Sequence, residues 1–340
     1  MANLTVPKKV ARRSAAILLT LGLAAGAAWA DVPRSGTLAT HAVGSLYNAL
    51  GAGIATVLSR HSGMLVRVQP FAGPPAWLPS MNTGATDMGV LTGADAVTSY
   101  KGIKLYKRAF RNTRLLLVGG ALQLSFYVPK DSPMETVADL KGKRIPTGFA
   151  GIPIVKLSST AALATAGLTY ADIVRVPVSH LGTGNQAFIE GRTDAGWHAL
   201  RSPAVEEANA RRGGIKFLSI IGTPEGAKKM GDIYPGSYPV VVRPGRVTGI
   251  LKPTTVLTND AYLVATKHMS RETAYTMVKV LWEHNKELGA AHRALRGWRT
   301  QRMVSAKALI PYHPGVVKFY KEKGVWNDRM DALQAKLMAQ

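Results

Sequence analysis

The stretch from residue 36 to residue 58 has the pattern of a short strand, a loop of small residues and an amphipathic helix. Ser45 precedes the helix and is a good N-cap. The apolar positions of the helix recur at three- and four-residue spacing and comprise Leu46, Leu50, Ile54, Val57 and Leu58. A loop of small residues that ends at a helix N-terminus presents unpaired backbone N–H groups and the positive end of the helix dipole. The stretch therefore favours a bound anion, although any β–α turn of an α/β protein has the same pattern.

A second stretch repeats this design in the middle of the chain. Residues 143–151 have the pattern of a strand and a Gly-rich loop, and an apolar helix is predicted from 155 to 166. Gly44 is followed after 40 residues by Gly-Ala-Thr-Asp-Met-Gly, and Gly151 is followed after 40 residues by Gly-Arg-Thr-Asp-Ala-Gly. The matching order and spacing predict two lobes of like design, with a cleft between their helix N-termini.

Other strand ends place polar and aromatic residues near the predicted cleft. A loop over residues 71–77 follows the second predicted strand. The third strand leads to Thr92, which opens another helix, and we expect Asp95 to act as a cap there. Residues 180–184 are expected to form a loop, and residues 195–198 a strand whose end faces the cleft.

The order of these elements predicts an α/β fold of two lobes. The chain is expected to leave the first lobe near Gly119 and to return to it along the extended run 254–266. Residues 31–121 and 266–340 are therefore assigned to lobe 1, and residues 122–265 to lobe 2. Two connecting strands permit hinge closure about a ligand.

The composition and the N-terminus fit an exported globular protein. The chain has 340 residues, of which 46% are hydrophobic, and its length favours two domains. It has no cysteine, which excludes disulfides, thiolate metal sites and a lipid anchor on cysteine. Four basic residues precede an apolar run from Ala15 to Ala28, and Ala28-Trp29-Ala30 is a small-x-small cleavage site. We expect residues 1–30 to be a cleaved signal peptide and the mature protein to be free in the periplasm, with Arg12-Arg13 leaving a twin-arginine signal as the alternative to general secretion.

The net charge is strongly positive. Removal of residues 1–30 takes away four basic and no acidic residues and lowers the charge from +23 to +19. A basic protein attracts polyanions, so nucleic acid has to be considered as a partner. Lys and Arg are spread along the chain, however, and no RNP, helix-turn-helix or zinc-finger pattern is present. We expect no nucleic-acid partner and interpret the charge as a solvated surface that favours anionic solutes.

An enzyme on the same fold, acting on a small anionic substrate, is the main alternative. The sequence has no G-x-S-x-G, S-x-x-K, H-E-x-x-H or G-x-x-x-x-G-K-[ST] motif. The eight histidines show no ligand spacing, and His284 and His292 are expected at exposed helix positions. His41 and His198 fall where the cleft is expected and would serve as a general base or a solute contact. We predict no catalytic residue, no metal ion and no cofactor.

Five motifs occur in an order that matches a known family. They are the Ser-x-Tyr at Ser45, GATDMGVLTGADAVTSYKG from residue 84, VADLKGKRIPTGFAG from residue 137, GLTYADI from residue 167 and GRTDAGWHA from residue 191. In these motifs, and over about residues 36–330, the chain resembles the TAXI family of solute receptors that serve TRAP transporters. The resemblance implies a two-lobed, periplasmic-binding-protein-like fold of type II. It also implies a receptor that closes on a small organic anion, often a carboxylate, and delivers it to a TRAP membrane permease.

The resemblance also suggests contact residues. It places Ser45 and Tyr47 in the family's first binding loop, and Gly73, Thr92 and Thr147 near its later loops, together with Gly151. The full set of predicted ligand contacts adds residues of the cleft loops and comprises Gly44, Ser45, Tyr47, Phe71, Gly73, Trp77, Thr92, Thr147, Phe149, Gly151, Trp197 and His198. We expect the receptor to be a monomer.

Two cleft loops depart from the family pattern. Where many relatives carry S-x-x-N, this chain has GPPAW at residues 73–77, and where they carry G-S-G-T it has GIPI at residues 151–154. Apolar walls favour an apolar ligand body, whereas each buried polar ligand group without a partner loses about 1–3 kcal/mol. We therefore predict a solute with one carboxylate and a hydrophobic or aromatic body, in preference to glutamate or a C4-dicarboxylate. Alternatively, the apolar residues turn into the core and the pocket is simply smaller.

Overall fold

The computed structural model describes residues 32–245 and 247–340, so the predicted signal peptide lies outside the described residues. The strands are β1 (Ser35–Thr40), β2 (Leu65–Pro70), β3 (Met88–Thr92), β4 (Thr113–Pro129), β5 (Arg144–Gly148), β6 (Val174–Val178), β7 (Gly196–Ala199), β8 (Ile215–Phe217), β9 (Tyr238–Val242) and β10 (Thr254–Thr266). Their alternation with helices confirms the predicted α/β class.

Twelve α-helices are found in the described residues. They are α1 (Leu46–His61), α2 (Pro74–Thr83), α3 (Gly93–Lys101), α4 (Pro153–Ala164), α5 (Leu181–Ile189), α6 (Pro203–Arg211), α7 (Pro224–Ile233), α8 (Arg271–Glu283), α9 (Asn285–Ala291), α10 (Thr300–Met303), α11 (Pro314–Glu322) and α12 (Asp328–Met338). Short 3₁₀ helices occupy Val137–Leu140 and Arg293–Gly297. Within the described residues, every helix is too short or too polar to cross a bilayer.

Eight strands form one mixed sheet in the order β2-β1-β3-β10-β4-β7, with β8 also paired to β4 and β9 to β10. β1 is parallel to β2 and β3, whereas β10 is antiparallel to β3, β4 and β9. β5 and β6 form a separate parallel pair. The N-terminal strands thus pair with the end of β10, and the strands of the middle of the chain pair with the end of β4 and the start of β10.

β4 and β10 are the two long strands that carry the chain between the two halves of the sheet. They span 17 and 13 residues and pair with each other, with a register shift between Asp260 and Tyr262. Opposite this shift stand Gly119 and Gly120, where the sequence predicts the crossing. Glycine is required here because the Trp298 ring lies on the backbone, and a Cβ on Gly119 would come within 2.5 Å of it. The exact lobe boundaries at 121/122 and 265/266 stay a prediction.

Local capping explains where the cleft helices begin. Ser45 caps α1, as predicted, and its Oγ accepts a hydrogen bond from the Asn48 N–H at 3.1 Å. The expectation that Asp95 caps α3 was wrong, because Thr92 is the N-cap and accepts from the Asp95 N–H at 2.8 Å. Residues 180–184 were wrongly expected to be a loop, since α5 begins at Leu181 behind His180.

Candidate ligand-binding site

Four helix N-termini converge on a cavity of about 200 Å³, which we call the cleft cavity. Its walls come from the loop before α1 and from the starts of α4, α5 and α6. The lining residues include His41, Gly44, Ser45, Ala72, Ile152, His180, Gly182, His198, Ala204 and Glu207. Each helix N-terminus carries roughly half a positive charge, so four of them favour an anion in this space.

The N-terminus of α1 is the part of this wall that the sequence pattern predicts. Gly44 holds a left-handed conformation with φ +85°, which turns the loop into the helix without the steric cost that a side chain would bring. Ser45 satisfies the Asn48 N–H with its side chain and the Ala49 N–H with its carbonyl oxygen. The N–H groups of Leu46 and Tyr47 lie in the first turn, where no intrahelical acceptor exists. They are therefore free to bind a ligand.

The start of α5 adds a histidine as a cap. The His180 Nδ1 accepts hydrogen bonds from the backbone N–H groups of Gly182 and Thr183, at 3.1 and 3.3 Å. Accepting at Nδ1 leaves the ring proton of the neutral form on Nε2, where it is a donor. His180 lines the cleft cavity, so this ring both begins the helix and supplies a polar group beside the site.

An apolar cavity of about 30 Å³ adjoins the cleft cavity and shares His41, Ser45, Ile152 and His198 with it. The other lining residues are mostly apolar or aromatic and include Tyr47, Thr92, Leu122, Leu124, Ile154, Val155, Trp197 and Tyr234. Apolar walls with a few placed polar groups are the usual lining of a solute site, whose volume is typically larger, about 300–1,000 Å³. The two cavities together offer a polar end and an apolar end.

Three buried polar atoms of these walls have no hydrogen-bond partner among the residues that the structure describes. They are the His41 Nε2, the Tyr47 hydroxyl and the Trp197 Nε1. Leaving such a group unpaired costs about 1–3 kcal/mol, and native proteins retain few of them. Because all three residues line the apolar cavity, a ligand is the partner that the fold leaves room for.

His198 is a neutral donor aimed at both cavities. Its Nδ1 accepts from the Ala199 N–H at 2.9 Å and lies 2.7 Å from the Ser202 Oγ. Since a backbone N–H can only donate, the ring proton of His198 is on Nε2. Burial lowers the pKa of His198 to about 4, and burial lowers the pKa of His41 to about 3. Both rings are uncharged at neutral pH.

The electrostatics of the site therefore rest on dipoles and neutral donors. Among the described residues that line the two cavities, none is Lys or Arg, and Glu207 is an exposed carboxylate at the rim. A basic groove of about 670 Å³ follows the crossing of β4 and β10 and shares Leu46 and Leu122 with the apolar cavity. It is lined by Arg201, Arg293, Arg296, Arg299 and Arg302. Arg293 pairs with Glu206 and Arg302 with Asp260, so part of its charge is neutralised.

A buried carboxylate fixes Thr92 from behind the apolar cavity. Asp95 accepts hydrogen bonds from the Tyr106 hydroxyl at 3.0 Å and from the Thr92 hydroxyl at 3.1 Å. Burial raises the pKa of Asp95 to about 7 and outweighs these hydrogen bonds, which lower it. Asp95 thus holds the wall in place without contacting the cavity.

Buried histidines make the stability of the protein pH-dependent. The pKa of His313 is also lowered by burial, to about 4, so His41, His198 and His313 all bind protons more readily in the unfolded chain. The free energy of unfolding is expected to fall as the pH drops from about 6.5 to about 4. Asp95 opposes this loss because its raised pKa makes the folded state bind a proton first. Urea titrations should show a steeper fall for Asp95→Asn; stability that rises towards pH 4 would contradict the assignment.

The two lobes touch across the cleft. A Cβ placed on Gly73 would lie 2.9 Å from the Ile152 side chain and 3.2 Å from the Gly151 carbonyl oxygen. The loop before α2 therefore contacts the loop before α4 directly. The absence of a side chain at Gly73 is what permits this close approach.

The structure brings half of the predicted contact residues to the cavities. Those that line them are Gly44, Ser45, Tyr47, Thr92, Trp197 and His198. Gly73 and Gly151 lie in the loops that meet across the cleft, beside Phe71, which is partly buried. Thr147 is buried in β5 and is absent from both linings.

Trp77 and Phe149 line neither cavity, and their role as ligand contacts stays a prediction. Trp77 is fully buried, and its ring covers Gly89, where a Cβ would come within 2.5 Å. Phe149 is fully buried and packs near Gly184. For these two aromatic residues the alternative holds, namely that they turn into the core. In contrast, Ile152 lines both cavities; it belongs to the loop at residues 151–154, which departs from the family pattern.

Several lining residues were not singled out from the sequence. They are His180, Asn185, Gln186, Leu122, Leu124 and Glu207. The first three belong to α5 or to its cap, whose start was read as a loop. Histidine is outside the usual Ser, Thr, Asp and Asn set of N-caps, so the signal was weak. Leu122 and Leu124 lie on the crossing strand β4, and only the tertiary fold brings them to the cleft.

Solved structures confirm the fold. PhnD1 from Prochlorococcus marinus, in complex with methylphosphonate, has 13% sequence identity and a TM-score of 0.53, over 86% of this chain and 99% of that chain. A structure described as a periplasmic transporter has 14% identity and a TM-score of 0.56, over 89% of this chain and 96% of that one. The α/β, two-lobed, periplasmic-binding-protein-like fold of type II is thus shown. A sequence model of the NMT1-like family matches residues 38–324, and the chain belongs to the NMT1-like family.

Proposed function

We propose that the protein is an extracytoplasmic solute receptor that closes its two lobes on a small organic anion. The observation that carries the proposal is the convergence of four helix N-termini and three unpartnered polar atoms on cavities between the lobes. Helix N-termini bind anions, and an unpartnered buried donor is satisfied by an acceptor. A receptor then passes its solute to a membrane permease, and the predicted signal peptide supports a periplasmic location.

A monocarboxylate with an apolar body matches the chemistry of the two linings best, and the apolar cavity of about 30 Å³ has to widen to admit an aromatic ring. The carboxylate would accept hydrogen bonds from the first turn of α1 and from the neutral His198 donor. The apolar body would lie against Leu122, Leu124 and Ile152. Each square ångström of apolar surface removed from water contributes about 25 cal/mol, so the apolar body adds affinity that a second carboxylate would forfeit. Ile152 in place of a hydroxyl-bearing residue supports this choice.

The partner permease follows from the resemblance to TAXI receptors. On that resemblance, we propose a TRAP permease as the partner. PhnD1 has the same fold and is solved with methylphosphonate, which makes phosphonates the first other class of anion to test. A gene for a TRAP permease beside this one would support the TAXI assignment.

Calorimetry on the mature protein, residues 31–340, tests the ligand class. We expect benzoate-like acids to bind at least ten times more tightly than glutamate, succinate or methylphosphonate. Micromolar binding of glutamate with none of any aromatic acid would contradict the apolar-body proposal. Arg201→Gln, in the basic groove, is the control and should leave the affinity unchanged; a large loss in this variant would move the ligand to that groove.

A serine beside a histidine is one arrangement that an enzyme could use, and the described residues include His198 and Ser202, 2.7 Å apart, behind the cavity wall. Ser202 is fully buried and caps α6 by accepting from the Val205 N–H at 3.3 Å. Its hydroxyl is therefore committed to the fold rather than presented to a substrate. We expect purified protein to bind its solute without turnover, and chromatography of the solute after prolonged incubation checks this.

A further inference from the structure

A cluster of two histidines and one carboxylate joins α1 to the α8–α9 junction, away from the cleft. His61 is the last residue of α1, His284 stands between α8 and α9, and Glu287 lies in the first turn of α9. His61 and Glu287 are 226 positions apart in the chain, so no sequence spacing reveals them. The histidines show no ligand spacing along the sequence, and it is the tertiary packing that brings His61 beside His284.

The three side chains already point at one another. The His61 Nε2 lies 3.0 Å from one Glu287 oxygen, and the His284 Nδ1 lies 2.9 Å from the other. One ligand atom from each residue can be chosen so that all lie within 4.8 Å of one another. The two imidazole rings are stacked, with centroids 3.5 Å apart and planes 10° apart. Because the lone pair of each ring nitrogen lies in its ring plane, one ring has to turn before both nitrogens and a carboxylate oxygen bind the same ion.

The donor set matches a particular class of cation. Imidazole nitrogen suits Zn²⁺, Cu²⁺ and Ni²⁺, and carboxylate completes many three-residue zinc sites. Ligand atoms about 2.05 Å from a tetrahedral ion stand roughly 3.3 Å apart, and the distances of 3.0 and 2.9 Å from the histidine nitrogens to the two Glu287 oxygens are close to this value. The side chains of His61, His284 and Glu287 are 22%, 34% and 36% exposed, so an ion and its water ligand have access. We propose that His61, His284 and Glu287 bind a divalent transition-metal ion of the Zn²⁺ class.

The Arg60 side chain would compete with a metal ion for Glu287. The Arg60 Nη1 lies 3.1 Å from the same Glu287 oxygen that faces His61, and its side chain is 63% exposed. An exposed pair of this kind contributes little stability, so the arginine yields to a metal ion at small cost. Removing Arg60 should therefore tighten metal binding, which is a result that a merely structural ion pair would not produce.

The ion would link the end of α1 to the start of α9, which are distant in sequence. α1 has 16 residues, and its other end carries Ser45 and the cleft N–H groups. A ligand that binds only the folded state stabilises it in proportion to the logarithm of its concentration over Kd. The metal is thus expected to raise the melting temperature without taking part in solute binding.

Calorimetry and thermal unfolding of EDTA-treated mature protein test the site with Zn²⁺ and with Mg²⁺. We expect one Zn²⁺ per chain, a higher melting temperature with Zn²⁺, and no response to Mg²⁺. His61→Ala, His284→Ala and Glu287→Gln should each weaken Zn²⁺ binding at least tenfold, and Arg60→Gln should strengthen it. His268→Ala removes an exposed histidine outside the cluster and should change nothing.

A spectroscopic measurement on the unaltered protein covers the case in which a variant fails to fold. Co²⁺ should give visible absorption of four-coordinate intensity that Zn²⁺ abolishes at one equivalent. The proposal is overturned if Co²⁺ shows only the weak spectrum of the hydrated ion, or if the folded His61→Ala and His284→Ala proteins bind Zn²⁺ as tightly as the original.

Discussion

Tyr47→Phe is expected to raise the melting temperature of the free protein and to weaken solute binding. The Tyr47 hydroxyl is fully buried and has no hydrogen-bond partner, so the free protein loses nothing when it is removed. The variant avoids a desolvation cost of about 1–3 kcal/mol, and the ring contact with His41 remains because only the hydroxyl is lost. A hydrogen bond to a charged ligand contributes about 1.5–3 kcal/mol, so Kd should rise roughly ten- to hundredfold.

Tyr320→Phe is the matched control for this result. Tyr320 is equally buried, but its hydroxyl donates to the Leu116 carbonyl oxygen at 2.9 Å. Its removal should lower the melting temperature and leave the affinity unchanged, which is the opposite of Tyr47→Phe on both counts. Thermal unfolding and calorimetry on the two variants give the comparison. A Tyr47→Phe protein that is less stable and binds normally would show that the hydroxyl does not face the solute.

Gly196→Ala is expected to be the most destabilising small substitution beside the site. A Cβ on Gly196 would lie 2.1 Å from the Tyr127 ring and 2.3 Å from its hydroxyl oxygen. Tyr127 cannot withdraw, because it is fully buried, donates to the Asn185 side chain at 2.7 Å and packs edge-on against Phe188. Overpacking costs about 1–3 kcal/mol and the broken hydrogen bond about 1 kcal/mol more.

The expected fall in melting temperature for Gly196→Ala is about 3–6 °C, which differential scanning calorimetry measures directly. Gly231→Ala is the control, since a Cβ at Gly231 in α7 meets only the Ser237 carbonyl oxygen at 3.9 Å. Alanine also favours a helix interior over glycine, so the control should keep or raise the melting temperature. Equal stability of the two variants would mean that Tyr127 moves freely, against the packing described here.

The parts of the site that were predictable from the sequence are those set by local structure. Ser45 and Thr92 cap helices through contacts within three residues, so their N-termini follow from the pattern. The paired glycines at Gly119 and Gly120 indicated the crossing between the lobes. The reason for them, the Trp298 ring that lies on this backbone, is visible only in the folded structure. Capping and glycine patterns predicted the positions of these groups. The matching order of the segments after Gly44 and Gly151 predicted a cleft between two lobes.

Long-range packing decided what the sequence could not. The sequence does not show whether an aromatic residue in a cleft loop lines the cavity or packs in the core. Trp77 packs in the core, where its ring covers Gly89. Leu122 and Leu124 reach the cavity only because β4 crosses between the halves of the sheet. His61 and Glu287 meet only after α1 and α9 pack together. In each case the information lies in tertiary contacts between distant residues.

A thermal-shift screen of the mature protein tests the central claim, that the cleft captures a small organic anion. The panel contains aromatic and aliphatic monocarboxylates, dicarboxylates, phosphonates, sulfonates, amino acids and cationic amines. A ligand that binds only the folded state at a hundred times its Kd adds about 2.7 kcal/mol of stability. Organic anions are expected to raise the melting temperature, and Tyr47→Phe is expected to reduce the shift. A response to cationic amines alone, or to no member of the panel at millimolar concentration, would contradict it.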